Sequence, residues 1–129
     1  MKPPLDTKIY HDDIAVYWLE NEILLCSICK PTTLTIELLK KSYSLIDEIT
    51  NGRKVCLLTD TSLAGSSSAN TREYSINASA NCFKAMAMIS KASYSSLLVN
   101  TFMTFSTQLV PMKIFTNEEE ARIWIKNYF

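Results

Sequence analysis

Short apolar runs alternate along this chain with segments of helical spacing, and that alternation restricts its fold more than any other feature. After an opening pair of strands, the runs "KVCLLTD", "KAMAMIS" and "MKIF" each follow a stretch with helix-like periodicity. Strands separated by helices are joined by crossovers, and right-handed crossovers make neighbouring strands parallel. The order read from the sequence is β-β-α-β-α-β-α-β-α. This is an α/β fold: a mixed, mostly parallel sheet with an N-terminal antiparallel hairpin and helices packed on it. The 129 residues form a single domain, 1–129, within the usual range of ~100–150 residues.

Each element has a local reason. "DIAVYWLENEILLCSIC" reads as two strands rich in β-branched, aromatic and apolar residues, turning at Glu20–Asn21. Pro31 then stops pairing, because it has no amide proton to give. In "TLTIELLKKSYSLIDEITNG", Ile36, Leu39, Tyr43, Ile46 and Ile49 keep helical spacing. Thr33 and Thr35 offer N-cap oxygens, and Asn51–Gly52 supplies a left-handed stop. A more polar helix is expected from about Ala69 to Cys82, and Pro111 breaks the chain before the last strand. In "TNEEEARIWIKNYF", Thr116 and Glu119 stand at capping-box spacing, with three glutamates where the helix dipole favours negative charge. Ala121, Trp124, Ile125 and Tyr128 make the buried face of that helix.

The segment "SYSSLLVNTFMTFSTQL" reads as a third helix that is apolar nearly all round. Leu97, Leu98, Val99, Phe102, Met103 and Phe105 exceed the single stripe needed to cover a sheet. Such excess points to a second buried face: a dimer partner, an apolar small molecule, or other helices on both sides.

Thirteen basic residues balance thirteen acidic ones. A neutral chain lacks the electrostatic footprint of a nucleic-acid binder and has no polybasic segment for anionic lipid. No run approaches the ~20 apolar residues that span a bilayer, and "MKPPLDTKIYHDD" has no signal-peptide apolar stretch. A cytoplasmic protein with Cys26, Cys29, Cys56 and Cys82 as reduced thiols is expected. Cys26 and Cys29 have the spacing of a redox or zinc motif, but in a strand residues three apart point to opposite faces. His11 is the single histidine, and no nucleophile-elbow pattern accompanies it. With only two glycines, Gly52 and Gly65, no phosphate-binding loop can form. No catalytic set, metal site or cofactor is therefore expected.

The best-placed polar loop lies in "LLTDTSLAGSSSANTREY". Asp60 ends a strand where open α/β sheets bind ligands, but alone it is half of an acid–base pair, and capping of its own turn is the reading preferred for it. Ser66, Ser67 and Ser68 precede a helix start. Helix amides would stabilise a phosphate on them, and Arg72 could pair with it. Serine is also a preferred N-cap, so the loop has a purely structural reading as well.

The order of elements, with "VYWLENEILLCSICKP", "NGRKVCLLTDTS", "KAMAMIS" and "KIFTNEEEARIWI", resembles the STAS-like (SpoIIAA-like) α/β domains. These are small single-domain proteins near the STAS and lipid-binding SEC14 folds. The resemblance runs from about Ile14 to Tyr128. It implies a non-enzymatic module that works by binding. Anti-sigma-factor antagonists in that group are switched by phosphorylation of a serine after the central strand, in an Asp-Ser-Ser-Gly-like motif. Asp60 resembles the acid ending that strand, and Ser67 or Ser68 falls near the switch position. The loop departs from the motif in reading "AGSSSAN", with no acid beside the serines and no Gly-Leu-Gly after them. On this resemblance the partner is a protein, and the chain acts as a regulatory module. The SEC14 side implies instead a carrier or sensor of a small apolar ligand.

Overall fold

A computed structural model of the chain describes residues 1–31, 33–63, 67–90 and 110–129. Six strands form one sheet: β1 (Tyr10–His11), β2 (Ala15–Glu20), β3 (Ile23–Ile28), β4 (Val55–Asp60), β5 (Phe83–Ile89) and β6 (Met112–Phe115). They lie side by side in chain order. The pairs β1–β2 and β2–β3 are antiparallel, and β3–β4, β4–β5 and β5–β6 are parallel. The alternation in the sequence and the sheet agree. Asn21, at φ 54°, supplies the left-handed residue of the β2–β3 turn, a conformation that asparagine tolerates better than most residues.

The described helices are α1 (Ile36–Thr50), α2 (Ala69–Cys82) and α3 (Glu118–Ile125), the last continued by a 3₁₀ turn over Lys126–Tyr128. Thr35 caps α1, its hydroxyl accepting the Leu38 amide at 3.2 Å. Asn51 (φ 54°) and Gly52 (φ 74°) end it in the left-handed region, and the Gly52 amide donates to the Asp47 carbonyl. The α3 cap is Asn117 rather than the expected Thr116, with the Asn117 side chain accepting the Glu120 amide at 2.9 Å. Asparagine caps as well as threonine. The shift of one residue puts Glu118, Glu119 and Glu120 all in the first turn. The third helix expected around residues 94–110 lies outside the described residues.

Neighbouring positions along the central strands serve opposite faces, as a period of two requires. Tyr17, Leu24, Leu57 and Met86 face α1 and α2, where Ile46 and Ile49 meet them. Trp18, Leu25, Leu58 and Ala87 face α3 with Phe115, Ala121 and Ile125. Both faces are covered, which is why these strands read as unbroken apolar runs. Ala85, Ala87 and Ala121 are fully buried together, so α3 sits close against the sheet.

Arg122 ties α3 to β2. Its guanidinium donates to Glu20 at 2.8 Å and to Glu118 at 2.7 Å, while the Trp18 indole donates to the other Glu20 oxygen at 3.1 Å. Burial pushes the Glu20 carboxyl up, but the Arg122 and Trp18 hydrogen bonds and the Arg122 charge hold it below its ordinary value of 4.5. A depressed folded pKa contributes stability that is complete above the unfolded value and is lost as pH falls through the folded one. Arg122→Gln should lower unfolding stability by about 1 kcal/mol at neutral pH. Its denaturant midpoint should also fall less than that of the native chain as the pH drops below 4.5. Identical acid dependence in both proteins would contradict the assignment.

Candidate functional site

Asp12 closes the turn from β1 into β2 with one carboxylate oxygen and reaches the helical layer with the other. Its Oδ1 accepts the amides of Ile14 at 2.9 Å and Ala15 at 3.0 Å, a local aspartate turn. Its Oδ2 accepts the Tyr17 hydroxyl at 2.9 Å and the Ser42 hydroxyl at 2.8 Å. Tyr17 comes from β2 and Ser42 from α1, and both are buried. Burial pushes the Tyr17 phenol far above its ordinary value, and negative charge at Cys26 and Asp12 would add to the rise, against a lowering hydrogen bond from Ser42. Burial likewise pushes the Cys26 thiol up to about 12, against a lowering hydrogen bond from Thr59. Tyr17 and Cys26 therefore keep their protons at neutral pH.

This polar group borders a cavity of about 120 Å³ between the sheet and the helices α1 and α2. Strands contribute Ala15, Tyr17, Cys26, Ile28, Leu57, Thr59, Phe83, Met86 and Met88, and α1 contributes Leu39, Ser42, Tyr43 and Ile46. Ile14, Leu34, Thr61 and Ser75 complete the lining. The sequence of α2 explains why space remains. That helix has no apolar stripe, and only Thr71 and Ser79 are buried along it. Polar contacts hold it in place: the Tyr43 hydroxyl lies 2.8 Å from Ser79 Oγ and donates to the Ser75 carbonyl at 3.2 Å. The rings of Tyr43 and Tyr74 meet edge to face, with centroids 6.5 Å apart. A helix fixed this way does not drive large side chains into the sheet.

The serine loop is held by its own backbone contacts. Asp60 Oδ1 accepts the Ser62 amide at 3.0 Å, so the aspartate caps its turn. Ser68 caps α2, accepting the Thr71 amide at 3.1 Å. Arg72 folds back to donate to the Ser67 carbonyl. Ser67, Ser68 and Arg72 thus meet at the start of α2, whereas the Asp60 carboxylate engages Ser62. Ser66 lies outside the described residues, as do Leu97, Leu98, Phe102, Met103 and Phe105, on which the expected dimer or ligand surface rested.

Residues 17–129 match a family model described as a domain of unknown function, DUF7793. The chain belongs to this family. It is also similar in structure to an uncharacterized protein of the DUF3478 family, with a SpoIIAA-like fold, from Shewanella loihica PV-4. The two are 16% identical, and the likeness covers 97% of this chain and 98% of that one with a TM-score of 0.58. At that identity it shows the fold, and the STAS-like architecture implied by the sequence is the one found. No curated protein sequence matches the chain.

Sequence reasoning about this DUF7793 domain did not single out Asp12, Tyr17 and Ser42 as a set. One signal was present: Ser42 occupies the apolar stripe of α1 between Leu39 and Ile46, where a polar side chain requires a partner. Cys26 is buried within β3, whereas Cys29 is exposed just past the end of the strand at Ile28, so the strand expected to carry both carries Cys26 alone; all four cysteines are free. His11 is exposed. Among the described residues no helix is long and apolar enough to cross a membrane, and no group of His, Cys, Asp and Glu converges to hold a metal. Iodoacetamide at pH 8 should alkylate Cys29 in the folded protein while Cys26 and Cys56 react only after denaturation. Peptide mass spectrometry showing Cys26 modified as fast as Cys29 would contradict the buried, protonated thiol.

Proposed function

We propose that this domain is a non-catalytic, cytoplasmic binding module that receives a small, largely apolar ligand between its sheet and α1–α2. The observation that carries the reading is the cavity of about 120 Å³, walled mainly by Ile14, Leu39, Ile46, Leu57, Phe83 and Met86 with a few polar groups at its border. Ligand sites have this character: apolar walls with a small number of placed polar groups. Apolar cavities near 150 Å³ accept molecules of about benzene size. The SEC14-side resemblance supports the same reading.

Native mass spectrometry of the untagged protein from its own host should show an apolar adduct. Met88→Trp, which places a larger side chain at a half-buried position of the lining, should reduce that adduct at least severalfold while the fold is kept. A wild-type spectrum free of any adduct would contradict the proposal.

A regulatory reading has its own observation in its favour. Ser68 is exposed at the head of α2, and Arg72 lies within one turn of it. A phosphate there would meet the helix amides and a guanidinium, and would alter a surface offered to a protein partner or a second copy. If the switch operates, replacing Ser67 and Ser68 by Ala abolishes phosphate incorporation and changes partner affinity. Unchanged incorporation and affinity leave Ser68 as a helix cap alone.

A further inference from the structure

The direction of the hydrogen bonds at Asp12 fixes what the cavity can offer a ligand. A hydroxyl carries one proton. Those of Tyr17 and Ser42 are both directed to Asp12 Oδ2, at 2.9 and 2.8 Å. Oδ1 is occupied by two backbone amides, so four donors converge on a group that acts only as an acceptor, the carboxylate. Neither hydroxyl keeps a free proton, and each has two lone pairs, of which the contacts of Tyr17 with Ser42 and Cys26 engage only part. Thr61 adds to the same polarity, since its hydroxyl donates to the Ile89 carbonyl at 2.9 Å. No lysine or arginine is among the described residues that line the cavity. The Thr59 hydroxyl and the Cys26 thiol also line the cavity, and both belong to a hydrogen-bonded group with Tyr17. A ligand carboxylate would meet no cation there and no donor stronger than the weak S–H of Cys26, and it would stand near the negative charge of Asp12.

We propose that the cavity selects a small apolar molecule bearing a hydrogen-bond donor, such as an alcohol, a phenol or a ring N–H, and rejects carboxylates of similar size. Tyr17 and Ser42 are the acceptors, and Asp12 is the positioning residue that sets their polarity. The inference rests on the cavity being a ligand site, as proposed above.

Indole, indene and benzoate separate the elements of this claim. Indole and indene are nearly isosteric, and only indole donates a hydrogen bond. Binding is read from shifts of Ile, Leu and Met methyl signals on titration of the full chain. Indole should bind about three- to tenfold more tightly than indene, the worth of one net hydrogen bond. Benzoate should not bind measurably. Asp12→Asn reverses the local polarity. Its carboxamide oxygen can keep the Ile14 and Ala15 amides while its two protons go to the oxygens of Tyr17 and Ser42. The hydroxyl protons then turn toward the cavity, and the indole-to-benzoate gap should narrow at least about tenfold, since both the charge and the donor mismatch are removed.

Tyr17→Phe and Ser42→Ala carry the test if Asp12→Asn fails to fold. Each should shrink the lead of indole over indene without weakening indene. Indene binding as tightly as indole, or benzoate binding to the native protein, would overturn donor selection and leave the cavity reading intact. Failure of all three probes, indene included, would overturn the cavity reading and this inference together.

Discussion

One carboxylate connects the parts of this domain that sequence separation keeps apart. Asp12 stands between β1 and β2, closes the turn through the amides of Ile14 and Ala15, and holds Tyr17 of the sheet and Ser42 of the helical layer. Hydrogen bonds to a charged group contribute about 1.5–3 kcal/mol each, and a buried hydroxyl left without a partner costs about 1–3 kcal/mol. Removing the carboxylate would leave two buried hydroxyls and two amides to find other partners. The N-terminal edge of the sheet and the middle of α1 are therefore coupled through a side chain that neither element could satisfy alone.

Around that point the two faces of the sheet solve different problems. On one, Ala85, Ala87 and Ala121 let α3 approach closely, and Arg122 fastens it to Glu20. On the other, α1 brings a full apolar stripe, but α2 brings Thr71 and Ser79 as its buried residues and is held through Tyr43. Among the described residues, a tightly packed face and a face with room in it follow from these two compositions. The ligand reading depends on the second face, and its stability depends on the first.

Much of the fold was legible because it is written in local patterns. Unbroken apolar runs announced strands buried on both sides, and Asn51–Gly52 announced the end of α1 with its left-handed pair. The burial of Cys26 followed from its place in an apolar strand, although β3 ends before Cys29. The start of α3 fell one residue away from Thr116 because Thr116 and Asn117 are both good caps and only the chain's path into the helix chooses between them. The Asp12–Tyr17–Ser42 group was not legible, since Ser42 is thirty residues from Asp12 and reaches it only when α1 packs on the sheet. The cavity escaped for a related reason. A polar stretch such as Ala69–Cys82 reads as a surface helix, and nothing local tells how much of the sheet it leaves unfilled.

The central claim is that the space between sheet and helices admits a small molecule and that Tyr17 and Ser42 meet its donor. Intermolecular nuclear Overhauser contacts from bound indole test it most directly. The account predicts contacts to methyl groups of Ile46 and Met86, with the indole N–H proton near Tyr17 and Ser42. Contacts confined to the exposed Ile123 of α3, the helix on the opposite face of the sheet, would place the ligand on the surface and contradict it.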